Sequence, residues 1–151
     1  MSLPNGSLVR VANVPNSGVA VLTGTTIGTL GSNTNGTTIY TAGSQGGRIV
    51  SLTASTSDTV TINVFLYILR SATVIPIGLV NIPLSSGNTN AARFVVDFLN
   101  GTNIPGLPLE NTGRQYIPLM PNDVLRATTL ANLSASTSCW LTAHGMDYQS
   151  L

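Results

Sequence analysis

Few residues in this chain carry side chains that could do chemistry, and their spacing suits little of it. His144 is the sole histidine and Cys139 the sole cysteine, and the acids are five: Asp58, Asp97, Glu110, Asp123 and Asp147. A hydrolytic triad needs a nucleophile, a base and an orienting acid, so His144 would have to be the base. No Gly-x-Ser-x-Gly elbow accompanies it, and alternation puts it on the same side as Trp140 and Tyr148, the setting of a packed or interfacial histidine. One cysteine and one histidine cannot furnish a dedicated zinc site. The acids stand singly, so no loop bunches the oxygen ligands that calcium needs, and little is offered to paired-carboxylate chemistry. Residues 43–47 are glycine-rich but lack a lysine and a following helix, so they do not read as a phosphate cradle. The expectation is a protein with no catalytic residue, no metal and no cofactor.

Composition points the same way. A chain of 151 residues suits one domain. Charged residues make up 7% of it, against roughly 25% in ordinary soluble domains, so Thr, Ser, Asn, Gln and Gly must form the surface. The formal net charge is +1. So little charge means little self-repulsion, and such a surface tolerates close packing against copies of itself. All the basic residues are arginines (Arg10, Arg48, Arg70, Arg93, Arg114, Arg126) and are spread singly, which argues against nucleic acid as a partner. Cys139 alone can form no intrachain disulfide and reads as a buried apolar residue. The opening MSLPNGSLVR lacks the basic start and apolar run of a signal peptide. No stretch approaches the roughly 20 apolar residues of a membrane span, so no membrane partner is expected.

The elements that would position these residues are strands. Residues 19–30 read as a weak strand broken by Gly24 and Gly28, followed by strands over 38–42, 47–55, 59–70, 73–84, 93–99, 116–120, 123–130 and 137–148. The clearest is 59–70. There Val60, Ile62, Val64, Leu66 and Ile68 form a core face, while the opposite face begins polar and turns apolar at Phe65, Tyr67 and Leu69, so something must cover its far half. Ser57-Asp58 turns the chain between 47–55 and 59–70, and the two are expected to pair as a hairpin. Pro76 and Pro83 place 73–84 at a sheet edge or a bulge. Residues 100–112, with Asn100-Gly101, Pro105, Gly106 and Pro108, form a long loop able to carry recognition. No window supports an amphipathic helix. The fold class is therefore all-β, a single-domain antiparallel β-sandwich, jelly-roll-like, over residues 18–151, with an extended N-terminal arm over residues 1–17. The arm mixes Leu3, Leu8, Val9 and Val11 with Pro4 and Pro15. It either adds a strand to a neighbour's sheet edge or is a frayed terminus.

Two side-chain rows could face another subunit: Trp140, His144 and Tyr148 on 137–148, and Phe65, Tyr67 and Leu69 on 59–70. Buried at an interface, each row is worth several kcal/mol at roughly 25 cal/mol per Å². Both could equally face the interior through a bulge or register change. With Leu3, Val9 and Val11 of the arm, these rows are the candidate interface with another subunit or partner protein.

The succession GGRIVSLTASTSDTVTINVFLYI, VNIPLSSG, YIPLMPNDVLRATT and WLTAHGMDY, spanning residues 46–148, resembles a family of small β-sandwich virion proteins of tailed bacteriophages and prophages. The likeness maps onto Ile82-Pro83, Leu125-Arg126-Ala127 and the ending Gly145-Met146-Asp147-Tyr148. This chain departs from the family at Pro121-Asn122-Asp123, where relatives often carry Gly, and at Met146, where a second Gly is common. The resemblance implies a non-enzymatic capsid decoration or cement protein, located on the virion and commonly a homotrimer. Its partners would be the major capsid protein and further copies of itself. Alternatives are a tail, fibre or baseplate component on which Trp140 or Tyr148 stacks against a sugar ring, and a connector or small-virus coat subunit.

Overall fold

Side-chain alternation of period two dictates the architecture, because each strand must bury one face against another layer. The computed structural model describes residues 12–24, 36–87 and 95–149, which contain nine strands and no helix. One sheet takes the order β1 (Ala12–Leu22), β9 (Cys139–Tyr148), β3 (Gly47–Thr56) and β6 (Val96–Asp97), with β7 (Ile117–Leu119) also pairing with β3. The second takes the order β2 (Thr37–Thr41), β8 (Val124–Thr129), β4 (Ile62–Arg70) and β5 (Thr73–Ile82). All pairings are antiparallel, and the two sheets pack as a β-sandwich. Ile49, Leu52 and Ala54 of β3 and Leu141 and Ala143 of β9 meet Val64, Leu66 and Ile68 of β4 and Leu125 of β8, while Phe98 and Ile104 fill in from the loop after β6. Each large side chain buried this way contributes about 1.5–3 kcal/mol.

Several sequence expectations are corrected. Strands β3 and β4 do not pair as a hairpin; they lie in opposite sheets, and residues 57–61 cross between them. Alternation says only that each strand has a buried face, and two strands can bury against the same core from opposite sides. Val60 falls in that crossing, ahead of β4, and is half-exposed rather than core. Residues 12–17 belong to β1 rather than to an arm; residues 1–11 lie outside the described chain. Pro15 is accommodated because β1 is an edge strand, where a missing N–H is tolerated. Strand β5 is both an edge and bulged: its register slips between Gly78 and Pro76, opposite Leu66 and Tyr67.

Edges β1 and β2 close one side of the sandwich. The Ile39 carbonyl oxygen of β2 sits over Gly18 of β1 where any side chain would begin, so only glycine admits this approach.

The crossing itself is held by Asp58, which is fully buried. Its carboxylate accepts hydrogen bonds from Ser134 Oγ (2.6 Å), Ser134 N (2.9 Å), Thr137 Oγ1 (3.1 Å) and Val60 N (3.1 Å). Its carbonyl accepts one from Ser85 N (2.8 Å), so one residue joins the crossing, the turn before β9 and the turn after β5. Burial pushes the Asp58 pKa up, but the Ser134, Val60 and Thr137 bonds outweigh it and hold the carboxyl below its usual range. At the far end of β4, Arg70 donates to both carboxylate oxygens of buried Asp123 (2.8 and 2.7 Å). That guanidinium, with the Met120 N–H, also lowers the Asp123 pKa against the cost of burial.

Both folded-state pKa values lie below the unfolded ones, so the stabilisation is present above about pH 4 and disappears as pH falls through the folded values. Thermal melts from pH 7 to 2 should therefore be flat down to about pH 5 and fall steeply below about pH 4. Asp58→Asn should cost about 2–3 kcal/mol at pH 7 and flatten that acid limb. The β4–β5 hairpin supplies a second test. Ser71 (φ 45°) and Ala72 (φ 70°) both occupy the left-handed region, which a two-residue turn of this kind requires and which penalises a Cβ. Ala72→Gly should raise the urea midpoint by the equivalent of about 0.5 kcal/mol after the unfolded-state entropy of glycine is subtracted.

Candidate functional site

Strand β9 runs between β1 and β3, so every second residue on it has a neighbour on each side. Cys139, Leu141 and Ala143 face the core, leaving Trp140, Thr142 and His144 outward. Trp140 lies between Val21 and Ser55, Thr142 between Val19 and Thr53, and His144 between Ser17 and Ser51. None of these nine residues is an acid, lysine or arginine. Val19 is 65% exposed, Val21 44% and Trp140 37%, and they form a contiguous apolar corner on a hydroxyl-rich sheet face, with Asp97 of β6 beyond Thr53 at the opposite edge. Sequence reasoning missed Val19 and Val21. Ala20 and Leu22, on the other face of β1, are equally apolar, so alternation could not say which pair turns inward.

The other expected residues are distributed differently. Phe65 (2% exposed) and Tyr67 (fully buried) do not reach the surface of the protomer. Their rings stack at 5.4 Å with an interplanar angle of 17° on the outer side of the second sheet, and the chain itself covers them. Gly36 packs directly on the Tyr67 hydroxyl, in the space a side chain would occupy, and Leu79 of β5 lies opposite Phe65. The expectation that these two rings meet another subunit is corrected accordingly: the covered face of β4 is closed from within. Leu69 is half-buried at the end of β4. Tyr148 is half-buried at the far end of β9, beside Gly47, Pro118 and Met120. Leu3, Val9 and Val11 lie outside the described residues.

Several reactive groups are spent on structure. Burial, reinforced by the negative charge of Asp58, pushes the Cys139 thiol up to about 12, so it is held as the unreactive thiol. Tyr40 donates to Asp147 Oδ1 (2.9 Å) and Asn16 to Asp147 Oδ2 (2.8 Å), fastening β2 and β1 to the end of β9. On the β3 side of the first sheet the loop over residues 98–116 first sends Phe98 and Ile104 into the core, and its later part is then tied to β3 by the Arg48–Glu110 ion pair (2.9 Å). The tip of that loop is a turn in which Gly113 N donates to Glu110 O and Glu110 N to Arg114 O, each at 2.8 Å.

No family model matches this chain, and no curated protein matches it. Among solved structures, a chain of the cyanophage Pam1 capsid asymmetric unit aligns over 97% of this chain and 92% of its own length, with 12% identity and a TM-score of 0.44.

The burial of Tyr67 makes a direct prediction. Its hydroxyl is enclosed without a well-formed hydrogen bond; burial raises its pKa, and the neighbouring Arg126 guanidinium opposes the rise. Tyr67→Phe should therefore leave stability within about 1 kcal/mol of the parent, whereas Tyr67→Asp should cost more than about 4 kcal/mol and abolish the cooperative melt. Circular dichroism melts of the two variants check both outcomes.

Proposed function

We propose that this chain is a non-enzymatic virion structural protein, a decoration or cement subunit that binds the outer head shell of a tailed bacteriophage. The observation that carries the reading is the open face of the first sheet. It sets Val19, Val21 and Trp140 side by side among hydroxyl side chains, with the Asp97 carboxylate beyond Thr53 at its β6 edge, a sparsely charged surface suited to contact with another protein. The resemblance of residues 46–148 to small phage β-sandwich proteins supports the same reading. So does the strand order, β1-β9-β3-β6 against β2-β8-β4-β5, which we read as that of a jelly roll.

In this role the protein acts by contact alone. The major capsid protein meets the Trp140–His144 face, copies of this chain associate as a homotrimer, and Leu3, Val9 and Val11 of the N-terminal segment with Leu69 and Tyr148 add contacts at the rim. Modest affinities repeated over the symmetry of a shell then sum to resistance against internal pressure.

Expanded heads assembled without the protein provide the test. Purified protein should bind them saturably at a stoichiometry set by shell symmetry. Val19→Arg and Trp140→Asp should melt like the parent yet lose at least about tenfold in head affinity, since each places a charge in a desolvated contact. Absence of saturable binding by the parent protein would sink the proposal.

A further inference from the structure

The 98–116 loop does not lie flush on β3. Between the turn at residues 97–101 and the hairpin at residues 109–115 it leaves a cavity of about 390 Å³, within the range of about 300–1,000 Å³ typical of small-molecule sites. We propose that this cavity is a binding subsite for a neutral carbohydrate, a role that goes beyond shell binding and does not depend on it.

Two opposite charges line the same space without pairing. Asp97 Oδ1 accepts the Leu99 N–H (2.9 Å), while no described residue bonds its Oδ2. The Arg114 guanidinium, on the hairpin wall, makes no ion pair among the described residues. Asn100 and Gln115 line the cavity too; the Asn100 carboxamide already bonds the Asp97 carbonyl and the Thr102 and Asn103 N–H groups, and Gln115 Oε1 is enclosed, which leaves their remaining amide N–H groups as donors. An anion would be opposed by Asp97 and a cation by Arg114. A sugar meets both, because each hydroxyl donates to a carboxylate and accepts from a guanidinium or amide. Val50 and the largely exposed Leu109 supply apolar surface for the C–H side of a ring. At the rim, nothing stands within 4 Å of where a side chain would begin on Gly101 or Gly113, so a longer glycan chain can continue outward. The Asp97 wall is set in advance, since the Asn100 and Asn103 amides both donate to the Asp97 carbonyl.

The test is a microarray of neutral hexose and N-acetylhexosamine oligosaccharides probed with the full chain, followed by calorimetric titration of the best binder. At least one neutral glycan should bind. Asp97→Asn, which retains the Oδ1 cap on Leu99, and Arg114→Gln, at an exposed position, should melt like the parent and each weaken binding about tenfold. Trp140→Ala should leave binding unchanged. The proposal is overturned if no neutral glycan binds, if only charged glycans or free amino acids bind, or if Trp140→Ala abolishes binding that Arg114→Gln leaves intact.

Discussion

Strand β4 must be buried on both faces, and the rest of the structure is arranged to allow it. Ile62, Val64, Leu66 and Ile68 are satisfied by the first sheet across the sandwich, where they meet β3 and β9. Among the described residues no third layer of secondary structure lies over Phe65 and Tyr67, on the other side. Gly36 packs on the Tyr67 ring, and the neighbouring strands β5 and β8 flank both rings. A second sheet face that would otherwise be an aggregation surface is thereby sealed, and the open face is left to the first sheet, where Trp140 and the two valines stand.

This arrangement also explains where the charges went. Of five acids, Asp58 and Asp123 are fully buried as hydrogen-bond hubs, Asp147 holds Tyr40 and Asn16, and Glu110 pairs with Arg48. A short polar chain crossing between sheets leaves backbone N–H groups without ladder partners, and a carboxylate accepts several of them at once. Asp97 remains, and it is the acid that lines a cavity. Two acids are thus taken from the surface and two more are held in pairs, which leaves few free negative charges on a molecule of already low charge.

The positions of the strands were legible because period-two alternation and turn residues are local signals. Residues 38–42, 47–55, 73–84 and 137–148 were each located to within a few residues of β2, β3, β5 and β9. Pairing was not legible in the same way. The Ser57-Asp58 turn resembles a hairpin turn in sequence, yet Asp58 is bonded to Ser134 and Thr137, 76 and 79 residues away, and so marks a change of sheet. Trp140, Thr142 and His144 were placed on one face correctly because β9 has no bulge in its own backbone. The extent of that face depended on β1 lying beside it.

The residues alone therefore determined an all-β chain with few reactive side chains and little charge, because composition and alternation are properties of the chain itself. They determined, too, that β4 has two apolar sides. Only the tertiary structure decided what covers the second side and which apolar row stays open. Phe65 and Tyr67 were covered from within, and Val19, Val21 and Trp140 were left outside, because burial is a property of which distant segments meet. Two rows of equal hydrophobicity differ only in what the rest of the chain lays across them.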